Sequence, residues 1–243
     1  MIDELIAEHL RGVRCASILD VGPGYAEFSR LAAQITGATK ITFVDIDSDV
    51  LQFQERRCRE AQIACASHRL LLDASSLGAI RGRFDLIHCQ EVLEHLPDAQ
   101  ETLRVLRDML TDDGRMIITV PTRMSERLIR FLNPAYMRDE PHGHVNEFDE
   151  RALRALVERA GLSVEVFRCA QPQYFLGHAW LFGTRMKIEG STGRILTHGV
   201  RGFIFGNLVK YSLPLFRATG LSRWARIMPR NYFVVAARRE HTR

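Results

Sequence analysis

Through the first two thirds of the chain, short runs of β-branched and apolar residues alternate with stretches of helical period. Runs at Ser17–Val21, Lys40–Val44, His68–Leu72, Phe84–Cys89, Arg115–Val120 and Ser163–Arg168 read as strands. Between them, a helical segment starts near Asp49, and Leu103, Leu106, Met109 and Leu110 share one helical face. Asp149 is placed to cap a further helix, with Leu153, Leu156 and Val157 on one face and Gly161 closing it. Strands separated by helices predict βαβ units, and so a parallel sheet buried on both faces. After residue 170 the rhythm breaks. A last strand, Tyr232–Ala237, follows roughly 60 residues later, too far for a structureless connection. Within that interval Ile195, Leu196, Val200, Phe203, Ile204, Leu208, Tyr211 and Leu215 recur at spacings of three and four, predicting a helix that Pro214 ends or kinks.

Composition narrows the class. The 243 residues are 46% apolar and 26% charged, as in an ordinary globular protein and unlike a disordered or fibrous one. No stretch reaches the ~18 uncharged apolar residues of a spanning helix, and the acids within MIDELIAEHLRG exclude a secretory signal. Five cysteines without a C-x-x-C pair argue against a disulfide framework or zinc knuckle and predict a cytoplasmic protein. The net charge of +4 conceals an asymmetry, because residues 181–243 hold 12 Lys/Arg against only Glu189 and Glu240. A basic segment therefore follows a mildly acidic one.

The candidate chemistry begins at Ile18-Leu19-Asp20-Val21-Gly22-Pro23-Gly24-Tyr25-Ala26-Glu27. Here a buried strand ends in an acid, and a glycine-rich turn follows that can take positive φ and approach a ligand closely. A dinucleotide fingerprint expects glycine or alanine at position 27, where this chain has a carboxylate that repels a pyrophosphate. Asp45 at the tip of the second strand suits both hydroxyls of a ribose, with Ile46 beside it. Asp73-Ala74, after the third predicted strand, is in reach of an adenine amino group. Cys89-Gln90-Glu91 ends the fourth strand beside the same crevice. Asp20 and Asp73 have a second reading, as residues that order turns by bonding backbone amides.

With Asp20-Val21-Gly22-Pro23-Gly24-Tyr25-Ala26, Asp45, Asp73-Ala74, Phe84-Asp85-Leu86-Ile87 and Glu91-Val92-Leu93-Glu94-His95-Leu96, the chain resembles the class I S-adenosylmethionine-dependent methyltransferases, from about residue 15 to 168 and again in the last strand. Ala26 departs from the pattern, standing where the family often has a third glycine. The resemblance implies a Rossmann-like, seven-stranded, mostly parallel sheet with an antiparallel last strand. It divides the chain into a cofactor-binding core (1–170), a helical basic insertion (171–230) and a last core strand with a basic tail (231–243). It further implies that S-adenosyl-L-methionine is held by Asp20, Gly22, Pro23, Gly24, Asp45, Ile46, Asp73, Ala74, Cys89 and Gln90. The cofactor carries its own activated methyl, so the protein has to align a nucleophile with the S–CH3 bond.

Glu91, Glu94 and His95 stand at i, i+3 and i+4, a spacing that turns two carboxylates and an imidazole toward one point on a helical turn. Such a set suits a divalent cation, and similar stretches serve ubiquinone-pathway O-methyltransferases and small-RNA 2′-O-methyltransferases, the latter with one more histidine from further along. His142 or His144 is placed to supply it here. The same two histidines, with Glu91, are candidates for the catalytic groups, in a loop expected to roof the acceptor pocket. The aromatic and basic insertion suits a lid or a dimer contact, or peripheral contact with a membrane or an anionic lipid-linked acceptor. Nucleic acid is disfavoured, because no recognisable module is present. The expected acceptor is a hydroxyl of a small molecule, glycan or lipid-linked compound, handled by a monomer or homodimer. Methylation at nitrogen or carbon, a protein that binds the cofactor without turnover, and a nicotinamide-dependent oxidoreductase are the competing readings.

Overall fold

A computed structural model describes residues 2–132, 143–172, 175, 211, 214 and 218–239. In chain order it has α1 (Ile2–Leu10), β1 (Ser17–Val21), α2 (Phe28–Thr36), β2 (Lys40–Asp45), α3 (Ser48–Glu60), β3 (Ala64–Arg69) and α4 (Ala74–Leu77). Then come β4 (Phe84–Gln90), a 3₁₀ turn (Leu93–His95), α5 (Ala99–Asp108), β5 (Leu110–Pro121), α6 (Arg123–Leu132), α7 (Glu150–Arg159), β6 (Leu162–Ala170), α8 (Leu221–Ile227) and β7 (Asn231–Arg238). The seven strands form one sheet in the order β3-β2-β1-β4-β5-β7-β6. Five strands pair in parallel, and β7 runs antiparallel between β5 and β6. The α/β expectation holds, including the reversed last strand.

Strand alternation divides the core into two layers. Leu19, Val21, Ile87, Cys89 and Ile118 face α4, α5 and α7, where Leu77, Leu103, Leu106, Leu153 and Val157 are fully buried. Ile18, Ile41, Phe43, Leu86 and Ile117 face α1, α2 and α3, packing on Ile6, Leu10, Ala32 and Leu51. Burial on both faces explains why the central strands read as continuous apolar runs. Asp149 caps α7 as expected, accepting from the Ala152 amide at 2.8 Å.

The third strand departs from expectation. It spans Ala64–Arg69, four residues upstream of the apolar run His68–Leu72. As an edge strand, β3 is only partly buried and needs no apolar run; Leu71 instead is exposed in the connection to α4. The helix expected over 195–215 and most of the basic insertion lie outside the described residues. Among the described residues, no helix is long and apolar enough to cross a membrane.

Candidate cofactor and acceptor site

The order β2-β1-β4 places the switch in connection direction between β1 and β4, where the carboxyl ends of neighbouring strands open a crevice. The glycine-rich turn lies at its lip. Gly22 has φ +66, and its amide donates to the Val44 carbonyl at 2.8 Å. A Cβ at this position would come within 2.6 Å of Val92 Cγ2, so the turn is pressed against the segment that follows β4. Gly24, at φ +51, has nothing within 4 Å of a Cβ position and opens on to the crevice. Pro23 is buried between them, and its carbonyl receives the Ala26 amide.

Three residues that the sequence patterns do not single out hold this turn from below. Gln54 of α3 is 1% exposed and donates to the carbonyls of Gly24 (2.7 Å) and Ala26 (2.9 Å). Its own carbonyl oxygen accepts from Arg30 of α2, which is also buried. Ser29 of α2 donates to Asp20 Oδ2 at 2.6 Å and lies 3.0 Å from His88 Nδ1. Their only sequence signal is polarity at positions whose helical period assigns them to the core.

Asp20 is thereby placed as an anchor. It projects from β1 on the α2 side, and burial pushes its carboxyl up to about 7. His88, its neighbour across the β1–β4 ladder, is pushed down to about 3 by the same desolvation. Glu27 stands at the N-terminus of α2 and binds Arg57 and Arg30, each with a 2.7 Å contact. A pyrophosphate at this helix start would meet that carboxylate, which disfavours the nicotinamide dinucleotide reading.

Asp45 ends β2 beside the turn. It is 8% exposed, its Oδ1 accepts from the Asp47 amide at 2.9 Å, and burial raises its pKa. The Ile46 carbonyl is taken by Arg69 Nε at 3.1 Å. Asp73 lies four residues beyond β3 and not at its tip; it caps α4, accepting from the Ser76 amide at 2.7 Å, and Ala74 begins that helix. Cys89 turns its thiol into the apolar layer under α5, which leaves only its backbone for a ligand. Gln90 is 8% exposed, and neither atom of its amide has a hydrogen-bond partner among the described residues. A buried amide left in this state asks for a ligand.

The acid-histidine stretch is rearranged relative to a helical turn. Glu91 has φ +54, a left-handed conformation that departs from the helical turn the spacing assumed. Glu91 Oε1 accepts from Thr119 Oγ1 at 3.1 Å and from the Asn231 side-chain amide. The residues brought together are Glu94, His95 and His144, whose candidate ligand atoms all lie within 4.8 Å of one another. His144, one of the two histidines expected to join the acid-histidine stretch, stands with Glu94 and His95, and Glu91 is outside this group. His142 lies outside the described residues.

The roof is tied down by backbone bonds. Val145 and Asn146 amides donate to the Glu94 carbonyl, and the Asn146 side chain donates to the carbonyls of Leu93 and Leu96. The His95 and His144 rings meet edge to face at 4.7 Å. Glu94 is 1% exposed, neither of its carboxylate oxygens has a hydrogen-bond partner among the described residues, and its pKa stands well above the usual range through desolvation and the nearby Glu91 charge. His144 Nδ1 lies 2.7 Å from Glu126 Oε2, and Arg230 Nη1 lies 3.3 Å from Glu126 Oε1. Burial opposes ionisation of Glu126, but His144 and Arg230 hold its pKa below the ordinary carboxylate value.

The family model described as a methyltransferase domain matches residues 2–165. A protein of Synechococcus without an assigned role is 30% identical over 118 residues, covering 49% of this chain and 28% of its own length. The ubiquinone biosynthesis O-methyltransferase of Albidiferax ferrireducens is 26% identical over 125 residues, 50% of this chain and 47% of that protein. The chain thus spans about half or less of the curated relatives it matches first. In fold, a crystal structure of an S-adenosylmethionine-dependent methyltransferase from Clostridium acetobutylicum superposes with a TM-score of 0.59 at 11% identity, over 98% of this chain and 91% of that one. Since two thirds of its length match the methyltransferase domain model and its sheet follows that fold throughout, the chain belongs to the class I S-adenosylmethionine-dependent methyltransferases.

Proposed function

We propose that the protein transfers the methyl group of S-adenosylmethionine to a hydroxyl oxygen of a small organic acceptor, at a site that also takes a divalent cation. The observation that carries this reading is Glu94, a buried carboxylate without a hydrogen-bond partner among the described residues, which converges with His95 and His144. Carboxylate and imidazole donors so placed fit a divalent ion, and an ion there relieves the cost of the orphaned acid. Val92 packs on Gly22, so Glu94 and His95 follow directly on the segment that touches the glycine turn.

For the cofactor, Asp45 is the group for the ribose hydroxyls, Gln90 offers an unpartnered amide, and Gly24 leaves room for close approach. When bound, the cofactor supplies a methyl group already activated on a sulfonium. A cation held by Glu94, His95 and His144 would lower the pKa of an acceptor hydroxyl. The chain's own work is to align the acceptor oxygen with the S–CH3 bond: the new O–C bond forms as the C–S bond breaks, and the hydroxyl proton leaves to a base. Amines with a free lone pair need no such help, which favours oxygen as the target. The curated relatives named as O-methyltransferases support the same choice.

Incubation with labelled S-adenosylmethionine and a panel of phenols, catechols and aliphatic alcohols tests the reading, with and without a chelator. Methyl ethers that form only with Mg²⁺ or Mn²⁺ present are expected, together with S-adenosylhomocysteine binding that Asp45→Ala removes. Transfer confined to amines, or ether formation indifferent to the chelator, overturns the proposal.

A further inference from the structure

Glu126 plays no part in the sequence patterns, yet it is among the most buried charged residues in the protein, at 1% exposure. It reaches the site from the first turn of α6. One carboxylate oxygen faces the ring of His144 (2.7 Å to Nδ1), and the other faces Arg230, itself 5% exposed (3.3 Å to Nη1). Arg230 Nη1 also meets Ser125 Oγ at 3.1 Å, while the Arg230 carbonyl accepts from Ser125 Oγ and from the Thr122 amide. Thr122 Oγ1 bonds the Pro229 carbonyl at 2.7 Å. The start of α6 and the lead into β7 are thus fixed to each other, and Glu126 cannot turn away.

We propose that Glu126, clamped by Arg230, is the positioning residue that sets the tautomer of His144 and so makes its Nε2 the ligand atom. The inference rests on the cation reading above. Glu126 accepts from Nδ1–H; the ring proton is then on Nδ1, which leaves Nε2 as the nitrogen with a lone pair to offer beside Glu94 and His95. Carboxylates that orient metal-ligating histidines in this way generally influence affinity by 10–100-fold.

The geometry makes Glu126→Gln informative beyond the loss of a charge. Arg230 has only donors, so the glutamine oxygen must face it, which turns the glutamine NH2 toward His144 Nδ1. Nδ1 must then accept, the ring proton moves to Nε2, and the ligand lone pair is lost. Two measurements on the full chain decide the matter. Nitrogen-15 NMR of cation-free protein at alkaline pH should show His144 protonated at Nδ1 in the wild type and at Nε2 in Glu126→Gln. Titration of Mn²⁺ into the S-adenosylhomocysteine complex should show affinity about 10–100-fold weaker in the variant, with S-adenosylhomocysteine affinity unchanged. A wild-type His144 protonated at Nε2 overturns the proposal without any variant, as does Glu126→Gln with both tautomer and Mn²⁺ affinity unaltered. Absence of Mn²⁺ binding in the wild type overturns the cation reading and Nε2 as its ligand, while the NMR result still shows whether Glu126 sets the ring.

Discussion

Replacing Asp20 by Asn and, separately, His88 by Gln perturbs a buried pair whose proton balance can be worked out from the structure. Both side chains meet Ser29 beneath the cofactor turn. Burial raises the Asp20 pKa from 3.8 to about 7 and lowers that of His88 from 6.5 to about 3. From pH 3.8 up to 6.5 the folded protein therefore holds one more proton at Asp20 than the unfolded chain does, and one fewer at His88. The raised acid makes stability fall as pH rises, and the depressed base makes it rise; in the wild type the two slopes cancel. Asp20→Asn leaves the His88 slope alone, so relative to wild type its stability should climb by about 1.4 kcal/mol per pH unit. His88→Gln leaves the opposite slope. Between about pH 4.5 and 6.0 each variant diverges from wild type by ~2 kcal/mol, in opposite directions. Urea unfolding of the cofactor-free protein at several pH values, with m checked for constancy, measures this directly. Stability curves of both variants running parallel to the wild-type curve would show that the pair does not hold its protons in this way.

Three further substitutions test the glycine turn. Gln54→Leu keeps bulk but strips the buried carbonyls of Gly24 and Ala26 and the Arg30 guanidinium of their partner; at roughly 1 kcal/mol per bond it should cost about 2–3 kcal/mol of stability. It should also weaken S-adenosylhomocysteine binding by about 10-fold in calorimetry, as the turn must then be ordered by the ligand. Gly22→Ala and Gly24→Ala separate strain from space: both force a side chain into positive φ, at about 1–3 kcal/mol, but only the first drives a methyl into Val92. Gly22→Ala should therefore show the lower melting temperature, and Gly24→Ala should lose cofactor affinity with the smaller change in melting.

The sheet and the glycine turn that follows β1 were legible because both are local. The Gly22–Gly24 turn, the Asp45 strand tip and the Asp149 cap are each set within a few residues, and strand burial writes itself into apolar runs. Reading failed where a side chain's task is decided at long range. The apolar run at 70–72 misplaced β3 because an edge strand needs little burial, and Asp73 moved with it into a helix cap. The spacing of Glu91, Glu94 and His95 assumed helical geometry, and the positive φ at Glu91 breaks it. Ser29, Gln54 and Glu126 are polar residues that a search for apolar faces passes over. They become interior because α2, α3 and α6 each turn a polar group toward a loop that has carbonyls, an acid or an imidazole to satisfy.

The acceptor side depends on chain brought back from far away, and this makes one more substitution informative. Asn231 is the first residue of β7, 2% exposed, and its amide binds Glu91, 140 positions earlier; Thr119 of β5 holds the same oxygen. Arg230, one residue before, holds Glu126. The lead into β7 and its first residue thus hold the two acids Glu126 and Glu91. None of the cofactor-facing groups bonds to Asn231: Gly22 is tied to Val44, Gly24 to Gln54 and Asp45 to Asp47. Asn231→Ala should then leave S-adenosylhomocysteine affinity unchanged, while the acceptor KM rises and kcat/KM falls by about 10-fold, the effect of one charge-assisted hydrogen bond of roughly 1.5 kcal/mol. Equal losses for cofactor and acceptor would show instead that Glu91 belongs to the cofactor pocket, and that β7 supports the site as a whole.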